Sequence, residues 1–270
     1  MQFSIVVPVF NEAGSVVPLL EEIRHAMRGV ADYEVIYVDD GSIDDTALQL
    51  DQARRRFPAL RVLRHNRRSG QSAALLSGVR AARAPWILTL DGDGQNDPAD
   101  LPSLIEQLAR RASDTGPCLL VGHRIVRRDN LLRRCSSRVA NAVRRRVLAD
   151  DTPDSGCGVR LFPRAAFLEL PAFDHMHRFL PALMQRQGVH VISVPVRHRA
   201  RGQGISKYGV RNRLWVGLVD MAGVMWLQRR RLGGPPAARG LLSRLGDSLG
   251  VAWLQRRPCR VAAEEDVLNV

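Results

Sequence analysis

WILTLDGDGQNDPADLPSLIEQLARR, residues 86 to 111, moves in one pass from an apolar run through an acidic, glycine-rich turn to apolar residues at helical spacing. The opening run is too short for a helix and reads as a buried strand, and the closing segment reads as a helix. Between them Asp91, Asp93 and Gln95 present oxygen-bearing side chains at alternate positions, separated by Gly92 and Gly94. Such a set offers a hard, incomplete group of ligands to magnesium or manganese, with positions left open for phosphates. The same residues also suit a turn and helix cap, and the stretch alone leaves both readings open. A calcium loop of the helix-loop-helix type is excluded, because its required Gly and Glu are replaced by Asn96 and Pro102.

Outward from this stretch the same strand-then-helix pattern recurs. FSIVVPVF (Phe3 to Phe10) precedes AGSVVPLLEEIRHAMR, YEVIYVDD precedes DDTALQLDQARRRF, LRVLRH precedes GQSAALLSGVRAARA, and CLLVGHR closes the series. Alternation of this kind predicts an α/β fold with a wound, mostly parallel sheet and helices on both faces. In such sheets ligands bind beyond the carboxyl ends of the strands. Asn11 and Glu12, Asp39 to Ser42, and Asp91 to Gln95 all fall there, so three polar clusters share one edge. Asp39 and Asp40 can accept hydrogen bonds from a ribose or a base, or serve a turn; Asp44 and Asp45 suit the start of the following helix. Residues 124 to 195 read as more helical, with a further strand at VHVISVPV.

The chain has 270 residues, 45% of them apolar, which suits one large α/β domain with an appendage. Its net charge of +13 predicts attraction to polyanions: nucleic acid, an anionic membrane surface or phosphorylated substrates. Nearly all the basic residues are arginine, and Lys207 is the lone lysine. A compact ammonium at that one place suits a phosphate pocket that a guanidinium would crowd. Cys118, Cys135, Cys157 and Cys259 form no CxxC pair and no metal spacing, so reduced structural thiols are expected. His175 and His177 stand two apart, on different faces of a helix, which favours a structural or acceptor-side role over a metal pair. The amino terminus begins as a strand, without a basic and apolar leader, so no export signal is expected.

After the basic, glycine-punctuated RHRARGQGISKYG (Arg197 to Gly209) the character changes. Leu214 to Leu227 is an apolar segment of about 14 residues broken by Asp220, short of a membrane span and flanked by arginine and tryptophan as an interfacial helix is. DSLGVAWLQRR (from Asp247) echoes DMAGVMWLQRR (from Asp220), so a second basic amphipathic helix is expected before a frayed tail. The expected organisation is a catalytic domain over 1–210, an interfacial helix over 211–231, and a linker, second helix and tail over 232–270.

VVPVFNE, VDDGSIDDT, LDGDGQNDP, VGHR and RGQGISKYG, in this order, resemble the GT-A glycosyltransferases of family 2, in particular the polyprenyl-phosphate branch that includes dolichol-phosphate mannosyltransferase. The resemblance covers roughly residues 3 to 210, and the segment after it is similar to the membrane-associating helix of bacterial members. It implies that Pro8, Phe10 and Glu12, with Val38 and Asp40, form the nucleoside pocket. Asp91, Gly92 and Asp93 would meet the donor, and Asp91, Asp93 and Gln95 would hold a divalent metal, Mg or Mn. Arg124, Ser155, Arg201 and Lys207 would meet phosphate on the donor and acceptor side, with Asp93, Arg201 and Lys207 central to catalysis. His123 stands in place of the family's serine, and Phe10 in place of a frequent tyrosine.

The implied partners are a nucleoside-diphosphate-sugar, a polyprenyl phosphate and an anionic membrane surface at the cytoplasmic face of the bacterial inner membrane, with no nucleic acid. The sequence leaves the oligomeric state, the sugar and the base open. A sugar-phosphate nucleotidylyltransferase would show a glycine-rich triphosphate loop near the amino terminus, which VPVFNEAGS lacks. A nucleic-acid-binding module would interleave aromatics with its basic residues, whereas aromatics are only 5% of the chain. A silent membrane scaffold would not need Asp91, Asp93, Arg201 and Lys207 together.

Overall fold

Among the described residues seven strands form one sheet in the order β3-β2-β1-β4-β6-β5-β7. They are β1 (Phe3–Val9), β2 (Tyr33–Asp39), β3 (Leu60–Arg64), β4 (Trp86–Thr89), β5 (Cys118–Arg124), β6 (Arg160–Pro163) and β7 (His190–Val196). The computed structural model describes residues 1–111, 116–124, 148, 152–154, 156–199 and 210–230. β1 pairs in parallel with β2 and β4, β2 with β3, and β5 with β7. The crossovers are α1 (Ala13–Ala26), α2 (Thr46–Arg56), α3 (Gln71–Ala81) and α4 (Leu101–Arg110), as the alternation of apolar runs predicts.

β6 departs from that expectation. It runs antiparallel between β4 and β5, inside the stretch whose sequence reads as helical. All four of its residues are buried, so it carries none of the alternation that marks a half-exposed strand. α5 (Arg164–Leu168) and α6 (Leu180–Arg186) follow within the same region.

The side-chain period of two divides the core. Ile5, Val7 and Val9 of β1 face one cluster with Val16, Leu19, Leu20 and Ile23 of α1 and Leu101, Leu104, Ile105 and Leu108 of α4. Val6, with Ile36 and Val38 of β2, faces the other, against Ala74, Leu75 and Val79 of α3 and the apolar side of α6. Helices therefore cover both faces. Cys118 and Cys157 are buried, with no disulfide between them; Cys135 and Cys259 lie outside the described residues.

The expected interfacial segment is a longer helix, α7 (Val210–Arg229). It does not stand apart from the catalytic unit. Val224 is buried, and Met221 and Met225 pack on the second core cluster. Gln228 Nε2 donates to the Leu148 carbonyl at 3.0 Å, and His175 Nδ1 meets Asp220 Oδ2 at 3.0 Å. Asp220, which interrupts the apolar run in sequence, thus fastens the helix to the domain. Val219 and Trp226 are exposed, with the Arg230 guanidinium over the Trp226 ring at 5.7 Å. Among the described residues no helix is long and apolar enough to cross a membrane. The second basic segment, 247–257, lies outside the described residues.

Gly78 sets how closely α3 approaches the sheet: a methyl group there would lie 2.4 Å from Val6 Cγ1 and 3.1 Å from Val38 Cγ2. Gly78→Ala is expected to destabilise the fold by about 1–3 kcal/mol through overpacking, read as a lower urea midpoint at unchanged slope. An unaltered midpoint would contradict this seating of α3.

Candidate active site

The loops after β1 and β2 are stitched into one wall. Asn11 adopts a left-handed conformation (φ 53). Its N–H donates to Ser42 Oγ and its Oδ1 accepts from Ile43 N–H, both at 2.9 Å. Glu12 N–H donates to Thr46 Oγ1 at 2.9 Å. Asp44 accepts from the Thr46 N–H at 3.0 Å, the turn role expected of it, while Asp45, the residue that precedes α2, makes no side-chain cap bond.

Two residues assigned to the nucleoside pocket prove to have other tasks. The Val38 side chain has no exposure and lies in the core against α3, so it cannot line a cleft as expected. Asp40 uses both oxygens internally: Oδ1 accepts from Ser69 N–H and meets His65 Nδ1, and Oδ2 accepts from Gly70 N–H, each at 2.8 Å. It fixes the loop that leads into α3. Pro8 and Phe10 are half-buried at the end of β1, and the exposed Arg68 from that loop lies over the Phe10 ring at 4.4 Å. Glu12 is half-buried at the start of α1.

Asp91 follows β4 and is held from three directions. Its N–H donates to Asn96 Oδ1 at 2.9 Å, and its Oδ1 accepts from Gln71 Nε2 at 3.0 Å. Its carboxylate lies against the main chain at Gly158, where a methyl group would come within 2.2 Å of Oδ2. Gly92 seats the turn on β1, since a methyl there would meet Val9 Cγ1 at 2.3 Å. Asp93 Oδ1 accepts from Gln95 N–H at 3.1 Å. Burial, with the Asp93 carboxylate next, raises the Asp91 carboxyl to about 6, against the opposing pull of Arg160, Arg124 and the Gln71 hydrogen bond.

Positive charge is built in around it. Arg124, at the end of β5, forms a two-point pair with the buried Asp154, Nε to Oδ2 at 2.6 Å and Nη2 to Oδ1 at 2.9 Å. The buried Arg160 begins β6, its charge felt by both Asp91 and His177. The loop after β7 clamps the acidic turn from the other side. Arg199 N–H donates to the Gln95 carbonyl at 2.9 Å, and its guanidinium reaches Glu22 and Asp97 at 2.7 Å each. Ser155, Arg201 and Lys207 lie outside the described residues.

Sequence reasoning missed Gln71, Asp154, Gly158, Arg160 and the Arg199 clamp. Asp154 and Gly158 sit in the same DSGCGVR stretch that carries Ser155, so the glycine pair was the available signal. Gln71 and Arg199 reach the site only through tertiary contacts.

The model of the family described as "Glycosyl transferase family 2" matches residues 4–170 of this chain. The chain belongs to glycosyltransferase family 2. It is 38% identical over 236 residues to the dodecaprenyl-phosphate galacturonate synthase of Rhizobium johnstonii, covering 85% of this chain and 68% of that protein. It is 34% identical over 213 residues to the undecaprenyl-phosphate 4-deoxy-4-formamido-L-arabinose transferase of Edwardsiella ictaluri, covering 77% of this chain and 63% of that protein. The chain therefore spans less than two thirds of the second relative. Among solved structures, glucosyl-3-phosphoglycerate synthase from Mycobacterium tuberculosis, in complex with Mg2+ and uridine diphosphate, shares the fold. The TM-score is 0.64 at 20% identity, over 82% of this chain and 79% of that one. The enzyme is thus a glycosyltransferase.

In this family 2 enzyme the side chains at the acidic turn are hard oxygen donors, of a type that suits a divalent cation. Among the described residues no group of three or more His, Cys, Asp or Glu side chains is placed to hold a metal. Asp91 and Asp93 instead crowd two like charges beside one half-exposed turn, an arrangement that a cation relieves. His175 and His177 have separate partners. His177 Nδ1 meets Ser72 Oγ at 2.7 Å, and His175 meets Asp220.

Two outcomes follow. Gly158→Ala is expected to push the Asp91 carboxylate off its present position, read as a changed Asp91 rotamer in a crystal structure of the variant; an unmoved carboxylate would contradict the packing. The second concerns pH. Burial, reinforced by the Arg160, Arg178 and His175 charges, lowers His177 from 6.5 to about 3. The unfolded chain takes up that proton near the ordinary value, so His177 contributes stability in full above it and loses that contribution on acidification toward 3. Wild type is expected to lose up to ~1.4 kcal/mol per pH unit through this group, a slope absent from His177→Gln in paired denaturation curves.

Proposed function

We propose that this glycosyltransferase moves a sugar from a nucleoside-diphosphate-sugar to a polyprenyl phosphate, with inversion, at the cytoplasmic face of a bacterial membrane. The observation that carries the reading is the Asp91 and Asp93 pair at the strand ends, with Arg124 and Arg160 fixed beside it. It is supported by the two relatives, whose names specify transfer to dodecaprenyl and undecaprenyl phosphate. Their sugars, galacturonate and 4-deoxy-4-formamido-L-arabinose, are the first donors to try. Solved fold neighbours bound to uridine diphosphate with Mg2+ or Mn2+ support a nucleotide donor and a divalent cation.

In this reading Pro8, Phe10 and Glu12 hold the nucleoside, with Asp40 shaping the wall behind them. Asp91, Asp93 and Gln95 hold Mg2+ or Mn2+, which when bound would stabilise charge on the departing diphosphate. Arg124 and Arg160 supply fixed positive charge at the same place, and the Asp154 pair keeps Arg124 from swinging away. An oxygen of the acceptor phosphate attacks the anomeric carbon as the bond to the diphosphate oxygen breaks. A phosphate oxygen is already anionic, so the site must orient it rather than deprotonate it. Ser155, Arg201 and Lys207 are the residues proposed to do so.

Exposed Val219 and Trp226 on α7, with Arg230, form an apolar and basic side suited to an anionic bilayer surface. Incubating the full chain with undecaprenyl phosphate, Mn2+ and a panel of nucleotide sugars is expected to give a lipid-linked sugar by mass spectrometry. Asp93→Ala should lower that product at least ~100-fold. Product formed at the wild-type rate by Asp93→Ala would overturn the metal assignment, and no lipid product with any donor would overturn the acceptor.

A further inference from the structure

Gln71 is the first residue of α3 and is itself exposed, yet its side-chain amide crosses to the turn after β4 and donates to Asp91 Oδ1 at 3.0 Å. The helix end that carries it is fixed from several sides. Ser69 and Gly70 N–H groups donate to the two oxygens of Asp40, each at 2.8 Å. Ser72 Oγ meets His177 Nδ1 at 2.7 Å, and Gly78 seats the helix on β1. A fixed helix end sets where the side chain starts, so the amide reaches Asp91 Oδ1 from a defined direction.

Asp91 needs that restraint. Its carboxylate stands beside the like-charged Asp93, which pushes it away, and against the Gly158 main chain, which blocks retreat on one side only. A donor on Oδ1 fixes rotation of the carboxylate plane and offsets part of its negative charge. Donors of this kind behind ligating carboxylates tune cation affinity without touching the cation.

We propose that Gln71 is a positioning residue for the cation site: it orients the Asp91 carboxylate so that Asp91 and Asp93 act on one divalent cation. The proposal rests on the metal reading given above. Gln71 acts through Asp91, so its loss shows first as weaker cation binding. The fold is unaffected, because the side chain is exposed and this contact is its contribution.

The test is Mn2+ titrated into the full chain, both without nucleotide and with uridine diphosphate, and followed by the electron paramagnetic resonance signal of free Mn2+ against a protein-free control. Gln71→Leu is expected to raise the Mn2+ dissociation constant by ~10–100-fold, with the metal-free melting temperature unchanged. Its transferase rate, low at limiting Mn2+, should return toward wild type as Mn2+ is raised, a rescue that general loosening of the fold would not give. Wild-type Mn2+ affinity in Gln71→Leu overturns the proposal while leaving the metal reading intact. A wild-type chain that binds no Mn2+ overturns the metal reading and the proposal with it.

Discussion

The Asp91 carboxylate rests on the bare main chain at Gly158, closer than any side chain would allow, and the site is built around that contact. Thr89 Oγ1 donates to the Gly158 carbonyl at 2.6 Å, so the end of β4 grips the segment that the carboxylate leans on. Two residues later β6 begins, with Arg160 opposite Thr89 on one side and Val121 on the other. Because β6 is antiparallel to β4, its first residue falls at the carboxyl end of β4. A parallel strand in that position would put its last residue there instead. The reversed strand thus delivers a buried cation and a glycine wall to the edge where a wound sheet binds ligands.

Charge around this edge is arranged in fixed pairs. Arg124 is held by Asp154 and Arg199 by Asp97 and Glu22. The largely buried Arg124–Asp154 pair contributes little to stability, because removing both charges from water offsets their attraction, and the Arg199–Glu22 pair contributes little because both side chains are exposed. The consequence of the Arg124 pair is geometric: its guanidinium stays at a set position from which its charge acts on the Asp91 carboxylate. α7 is tied to the same assembly through Asp220 and His175, on the turn that also carries His177 to Ser72 at the head of α3.

Much of this was legible in the chain itself. The alternation that gave β1 to β4 and their helices arises because each strand is a short apolar run followed by residues at helical spacing, and the three polar clusters fell at one edge because the strands are parallel. β6 was hidden, since RLFP is four residues, buried on both faces and without alternation. Val38 was misplaced for a related reason: β2 is buried from Glu34 to Asp39, so its pattern does not say which side chains face a cleft. Asp40 and Gln71 form their contacts with residues 20 or more positions away, which no local pattern encodes. The acidic turn itself needed no structure to be found, only to show what holds it.

The central claim is that Asp91 and Asp93 jointly hold a divalent cation against a donor diphosphate. Its most direct test is an anomalous difference map from crystals of the full chain grown with Mn2+ and uridine diphosphate. The account predicts a manganese peak in contact with both carboxylates and with diphosphate oxygens. A map with the nucleotide bound in the cleft and no manganese between Asp91 and Asp93 would contradict it.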